Sequence, residues 1–123
     1  MSLTVSYQGE PGANSHTSAL TVYPDCTPLP CPTFEDALAA VADGAARYGM
    51  IPIENSLAGR VGDIHHLLPR SGLHIVGEFF LPIRFQLMAA KGATLATIRT
   101  AESHVVALGQ CRKIIKQLNL KTV

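Results

Sequence analysis

Three short segments of the sequence carry side chains that could bind or protonate an anionic ligand. They are the glycine-rich run 9–15, the run 54–56 (Glu-Asn-Ser), and the pair Ser103-His104 followed by Gln110. Each has the form expected between a strand and a helix, beside the unpaired N–H groups and positive dipole of a helix N-terminus. In open α/β sheets, ligands bind at such positions, beyond the carboxyl ends of the strands. We therefore take these segments as the candidate site.

Each segment also has a purely structural interpretation. The glycine run could simply form a tight turn. Asn55 or Ser56 could cap the next helix, a role compatible with ligand binding. Ser103 and Gln110 are seven residues apart, so on one helix they would share a face and could line a pocket. Alternatively, Ser103 is an N-cap and Gln110 a surface residue, and the residues alone leave both interpretations open.

Charge and hydropathy exclude several classes of partner. Ten basic residues nearly balance nine acidic ones, so we expect no nucleic-acid or anionic-membrane binding. No run of eighteen apolar residues predicts a membrane span, and the start of the chain lacks the features of a signal peptide. These features predict a cytoplasmic protein.

Motifs for metals and phosphate cofactors are missing. The glycine run has neither the third glycine of a dinucleotide site nor the Gly-Lys-Ser/Thr of a P-loop. His65 and His66 are adjacent rather than four residues apart, which makes a poor metal pair. Three cysteines without a C-x-x-C pair indicate free thiols. We expect no metal and no cofactor.

Alternating strand and helix patterns predict an α/β fold. Thr33 resembles an N-cap and Gly44 a helix stop. The 73–88 run is too long for one ordinary strand, so we predict two strands joined at Leu81-Pro82. The final residues, 120–123, look like the start of a further strand, so we expect the sheet to need strands beyond them. The predicted strands are 3–7, 27–31 (an edge strand), 48–53, 73–88 and 98–102, and the predicted helices are 13–23, 34–43, 61–69 and 103–118.

In order and spacing, these segments resemble the prephenate dehydratase family. The run Pro52-Ile53-Glu54-Asn55-Ser56 is the most specific part. The matching segments are 7–15, 51–56 with Gly59 and Val61, 73–78 with 81–83, and 103–104 with Ala107 and 110–111.

The resemblance implies a two-lobed α/β structure similar to type II periplasmic binding proteins, with the active site in the cleft between the lobes. Residues 1–78 would form most of the first lobe and 79–123 the start of the second. The implied activity converts prephenate to phenylpyruvate, water and CO2 in L-phenylalanine biosynthesis. It needs no cofactor, and we expect a homo-oligomer.

The resemblance also implies roles for individual residues. The reaction expels a ring hydroxyl and CO2, so neutral hydrogen-bond donors suit it better than clustered lysines would. The implied catalytic residues are Asn55, Ser103 and Gln110. The implied substrate-binding residues are Gly12, Ser15, Glu54, Ser56 and His104.

Some family features are missing from these 123 residues. There is no Thr-Arg-Phe motif, whose threonine serves the departing hydroxyl in the family, and Ile83-Arg84-Phe85 is not a substitute. The Gly-Thr-Phe/Tyr-Ser of the first loop is Gly-Ala-Asn-Ser here, at 12–15. No phenylalanine-sensing ACT domain is present.

Two alternatives follow: a non-catalytic module that binds a small carboxylate, or an inert fragment of the enzyme. We expect little or no activity from the isolated chain. We also expect its open sheet edge to favour dimerisation.

Overall fold

The computed structural model describes residues 2–56 and 59–123. It divides into two compact units, the first comprising residues 2–55 with 59–83 and the second Ser56 with residues 84–123. Both units contain helices and parallel strand pairs, so the prediction of an α/β fold is confirmed. The strands are β1 Thr4–Gln8, β2 Thr27–Cys31, β3 Tyr48–Gly49, β4 Glu54–Asn55, β5 Gly59–Arg60, β6 Thr100–Ala101 and β7 Lys121–Thr122. The helices are α1 Asn14–Val22, α2 Phe34–Ala42, α3 Gly62–Leu67, α4 Val105–Gln110 and α5 Arg112–Gln117.

The first unit is built on a three-stranded parallel sheet in the order β2-β1-β3. The central strand, β1, is fully buried at Val5, Ser6 and Tyr7. Because consecutive side chains point to opposite faces, this run shows that both faces of β1 are covered. Pro28 and Pro30 lie in β2, which pairs with β1 on one side, and an edge strand tolerates residues without an N–H donor. The prediction of an edge strand at 27–31 is confirmed.

Small residues bring the helices close to this sheet. Helix α1 buries Ser18 and Ala19, and α2 buries Ala37 and Leu38. The buried Ser6 hydroxyl donates to the Ala37 carbonyl at 2.7 Å, so this buried polar group has a hydrogen-bond partner. The core thus lies between β1 and the helices on either side.

Helix α2 begins and ends where the sequence predicts. The Thr33 side chain accepts from the Asp36 N–H at 3.1 Å, which satisfies one of the open donors of the first turn. Glu35 and Asp36 complement the positive end of the helix. Gly44 has a φ of 81° just after the helix, a left-handed conformation that glycine adopts readily.

The segment after α2 differs from its prediction. Strand β3 covers only Tyr48–Gly49 rather than 48–53, because its parallel partner β1 pairs with it at only two positions. A short antiparallel hairpin of β4 and β5 follows, which the sequence did not predict. Helix α3 then passes into a 3-10 turn at Leu68–Arg70, with Pro69 in the turn.

The predicted pair of strands at 73–88 is wrong. Among the residues that the structure describes, this segment has no strand partner and lies in irregular backbone. Strand-type composition alone cannot form a strand, because ladder hydrogen bonds need a neighbouring backbone. The segment leaves large apolar side chains exposed, including Val76 at 75%, Phe80 at 81% and Met88 at 86%.

The second unit pairs β6 with β7 in parallel. The predicted single helix 103–118 is wrong in two respects. It starts later, with His104 rather than Ser103 at the N-cap, where the imidazole accepts from the Val106 N–H at 3.2 Å. It is also divided into α4 and α5 at Cys111, two residues after Gly109, whose helix propensity is low.

Candidate functional site

The glycine run forms the loop between β1 and α1, at the carboxyl end of the central strand. Gly9 and Gly12 have φ values of 118° and 94°, which residues with a Cβ rarely adopt. The Gly9 N–H donates to the Cys31 carbonyl at the end of the neighbouring strand, at 3.0 Å. The glycine run therefore forms the tight turn that its structural interpretation predicts. The loop leads into the first turn of α1, which contains Ser15.

His16 is a constituent of this loop that the sequence analysis did not identify. Its Nδ1 accepts from the Gly12 N–H at 2.8 Å, and its ring stacks on Tyr7 with centroids 5.3 Å apart. The spacing of Gly12 and His16, four residues apart at a helix start, was the signal available in the sequence. The contacts fix the loop against the buried centre of β1.

The N-terminus of α1 carries no anionic group of its own. The N-cap residue is Ala13, which has no side-chain hydrogen bond to the helix, and the first turn has no acidic residue. The open N–H groups and the helix dipole favour a negative charge here. A substrate-binding role for Gly12 and Ser15 stays a prediction.

Asn55 lies on the short strand β4, directly opposite Gly59 of β5. Asn55 is half-buried, whereas Glu54 and Ser56 are exposed. Gly59, the residue paired with Asn55, has no side chain. The capping alternative for this segment is wrong, since α3 begins at Gly62 after Val61, which makes no side-chain cap.

Glu54 and Asn55 follow the sheet of the first unit at the same end as the glycine loop. Strands β1 and β3 are parallel neighbours, so their carboxyl ends lie at one edge, and residues 50–55 continue from β3 at that edge. The structure thus places Gly12, Ser15, Glu54 and Asn55 within the first unit, in segments that follow strands of the sheet.

The remaining candidates belong to the second unit. Ser103 and His104 precede α4, both exposed, and Gln110 is the last residue of α4 and half-buried. Because Ser103 lies outside the helix, the shared helix face predicted for Ser103 and Gln110 is not formed. Ser56 is also assigned to this unit.

Buried groups near the first loop stay neutral. Burial raises the pKa of the Tyr7 hydroxyl, and Glu10 and Cys31 raise it further. Burial also raises the pKa of the Cys31 thiol, with a further contribution from Asp36. Both groups therefore keep their protons at neutral pH.

In the described ranges, no group of three or more histidine, cysteine or acidic side chains could hold a metal ion. His65 and His66 instead accept hydrogen bonds from arginines, at 2.9 Å from Arg60 and 2.7 Å from Arg70. Across residues 2–56 and 59–123, no helix has the length and hydropathy needed to cross a membrane.

Comparison with protein families gives a match over almost the whole chain. The family model described as prephenate dehydratase matches residues 5–123, a span that contains every candidate site residue.

Individual relatives carry related names. A bifunctional N-acyl-homoserine lactone acylase/prephenate dehydratase of Komagataeibacter europaeus is 48% identical over 97% of the chain and 42% of the relative. Arogenate dehydratase 1 of Petunia hybrida is 42% identical over 96% of the chain and 28% of the relative. An arogenate dehydratase/prephenate dehydratase of Arabidopsis thaliana, chloroplastic, is 40% identical over 94% of the chain and 30% of the relative. The chain thus spans less than half the length of each of these relatives.

A solved structure has the same fold. The structure described as GqqA, a novel type of quorum quenching acylases, superimposes with a TM-score of 0.79 at 48% identity. The match covers 98% of this chain and 44% of the other.

Proposed function

The chain belongs to the prephenate dehydratase family, and we propose that the protein containing it converts prephenate to phenylpyruvate, water and CO2. The observation that carries the proposal is the family match over residues 5–123, which includes all the candidate site residues. The site's donors are neutral amides, hydroxyls and backbone N–H groups, which fits the chemistry of this reaction.

The reaction makes three demands on its site. The departing ring hydroxyl needs a proton or a strong hydrogen bond, and the retained carboxylate needs an anchor. The carboxylate that leaves as CO2 must not be over-stabilised, because the electron pair of its bond to the ring must move into the ring and expel the hydroxide as CO2 forms. A site with neutral donors and an uncapped helix N-terminus meets these demands without a cluster of lysines.

We assign the residue roles accordingly. Asn55, Ser103 and Gln110 are proposed to hydrogen-bond the reacting substrate. The supporting set, proposed to bind the substrate's other polar groups or to shape the loops, is Gly12, Ser15, Glu54, Ser56 and His104. The open N–H groups at the start of α1 support these roles in the first unit.

The finer architecture is also part of the proposal. We infer a two-lobed fold similar to type II periplasmic binding proteins, with lobes at residues 1–78 and 79–123. The 48% identical structure supports the α/β fold at this level of similarity. We further propose that the protein acts in L-phenylalanine biosynthesis in the cytoplasm, without a cofactor, as a homo-oligomer.

Substitution of Asn55 tests the assignment of the site. In the intact protein that contains this chain, Asn55→Ala should lower kcat for phenylpyruvate formation about 10²-fold or more, as expected for the loss of one transition-state donor. Gln117→Ala, which removes an exposed amide from α5, is the matched control and should leave kcat unchanged. Equal kcat values for Asn55→Ala and the wild type would remove Asn55 from the site.

A second candidate function comes from one relative. The Komagataeibacter europaeus protein that is 48% identical to this chain is named as an N-acyl-homoserine lactone acylase as well as a prephenate dehydratase. If this protein shares that activity, it should release homoserine lactone and a fatty acid from an N-acyl-homoserine lactone. The Asn55→Ala variant then shows whether both activities use one site.

A non-catalytic binding module is the remaining alternative. Calorimetry with prephenate, phenylpyruvate and amino acids distinguishes it from an enzyme. Tight binding of an unrelated carboxylate, with no binding or conversion of prephenate, would favour the module.

A further inference from the structure

We propose that His65 and Arg60 are positioning residues that hold the strand carrying Asn55, an inference that rests on the proposed function. Together with the Ile53 carbonyl they form a hydrogen-bonded chain, here called the Arg60–His65–Ile53 relay. Neither residue is among the candidate site residues. Both act on Asn55 through the backbone of the hairpin that carries it.

The hairpin needs such support because it is very short. Strands β4 and β5 pair at only two positions, Glu54 with Arg60 and Asn55 with Gly59. Isolated two-stranded hairpins are at best marginally stable in water. A side chain placed by so few ladder hydrogen bonds is precise only if another element fixes the strand.

Helix α3 provides this contact through His65. The His65 Nε2 lies 3.2 Å from the Ile53 carbonyl oxygen, and the Val61 N–H donates to the same oxygen at 2.9 Å. Ile53 immediately precedes β4, so both bonds act at the base of the hairpin. The neighbouring Ile64 is fully buried, which fixes α3 itself in the core of the unit.

The contacts of His65 determine its tautomer. The Arg60 guanidinium approaches Nδ1 at 2.9 Å, and a guanidinium can only donate. Nδ1 is therefore the acceptor, and Nε2 carries the proton that it donates to the Ile53 carbonyl. The second approach, from the Arg60 Nε to Nε2 at 3.5 Å, is at the limit of hydrogen bonding and does not change this assignment.

Arg60 lies on the far side of the hairpin from the Asn55 side chain. Residues directly opposite each other on paired strands share a face, and consecutive residues alternate faces. Arg60 shares its face with Glu54, so Asn55 projects to the other face. Arg60 therefore helps to position the strand that carries Asn55 and does not contact the ligand itself.

Two substitutions at one position separate positioning from general stability. His65→Leu removes both hydrogen bonds and should lower kcat about 10- to 100-fold, as expected for a small displacement of a reacting group. His65→Gln can accept from Arg60 with its oxygen and donate to Ile53 with its nitrogen, so it should restore most of the activity. His66→Leu, on the same helix and also bonded to an arginine, is the matched control and should keep wild-type kcat.

NMR provides a further readout. Nitrogen-15 spectra should show the Nε2–H tautomer for His65. The amide signals of Glu54, Asn55 and Arg60 should shift in His65→Leu and return towards wild type in His65→Gln.

The outcomes separate this inference from the proposed function. Wild-type conversion of prephenate with unchanged kcat in His65→Leu would overturn the relay alone, as would an Nδ1–H tautomer. If the wild type does not convert prephenate, the proposed function fails. The tautomer and the amide shifts then still decide whether the relay holds Asn55.

Discussion

Tyr7 and Cys31 lie together beneath the glycine loop, and burial raises the pKa of each. In the unfolded chain both groups titrate at their ordinary, lower pKa values. Their contribution to stability is therefore fully present below those values and is lost as pH rises through the folded pKa values.

We predict that the free energy of unfolding falls as pH rises above the ordinary range of a cysteine thiol. Denaturant unfolding measured across the alkaline range tests this. The double variant Tyr7→Phe, Cys31→Ala removes both groups and should show a smaller alkaline loss. If the wild type and the double variant lose stability equally at alkaline pH, Tyr7 and Cys31 are not the source of the loss.

Gly12 provides a test of the loop's backbone. Its φ of 94° is unfavourable for any other residue, although a Cβ there would meet no atom within 4 Å. Gly12→Ala should therefore cost about 1–2 kcal/mol through backbone strain alone and weaken prephenate binding. Gly62→Ala, at the first residue of α3 without positive φ or close neighbours, is the control and should not destabilise the protein. Thermal unfolding and calorimetry measure both effects.

The sequence alone predicts candidate site residues only where they stand next to one another in the chain. The Glu54-Asn55-Ser56 run is visible because three polar residues follow an apolar run. His16 and His65 were missed because their importance depends on partners brought by folding, the Tyr7 ring in one case and the Ile53 carbonyl in the other.

Helices were easier to predict than strands. The bounds of α2 follow from local signals, a threonine cap and a terminal glycine, which need no distant partner. The 73–88 segment has the composition of strands, but a strand exists only where another backbone pairs with it. Short-range patterns could not supply that information, and they also missed the β4–β5 hairpin.

The cap of α2 can be tested directly. Thr33→Ala removes the acceptor of the Asp36 N–H and should lower the free energy of unfolding by about 1 kcal/mol. Thr33→Ser keeps the hydroxyl and should cost much less. Urea denaturation of the two variants measures the difference. Equal stability of both would show that the hydrogen bond contributes nothing.

At the scale of the whole molecule, the exposed apolar side chains of residues 75–88 are the feature that most favours self-association. Exposed apolar side chains promote association. We predict that the 123-residue chain self-associates at micromolar concentration, and that Phe80→Lys reduces this association. Sedimentation velocity measures it, with Lys91→Glu, at an exposed charged position, as the control. A chain that stays monomeric at all concentrations would contradict this prediction.

The most direct test of the central proposal is conversion of prephenate by the intact protein that contains this chain, followed by the ultraviolet absorbance of phenylpyruvate. Arogenate should be assayed in parallel, since relatives are named for either substrate. We predict that prephenate is converted and that Asn55→Ala abolishes nearly all of this activity. A folded protein that converts arogenate alone, or neither compound, would contradict the proposal.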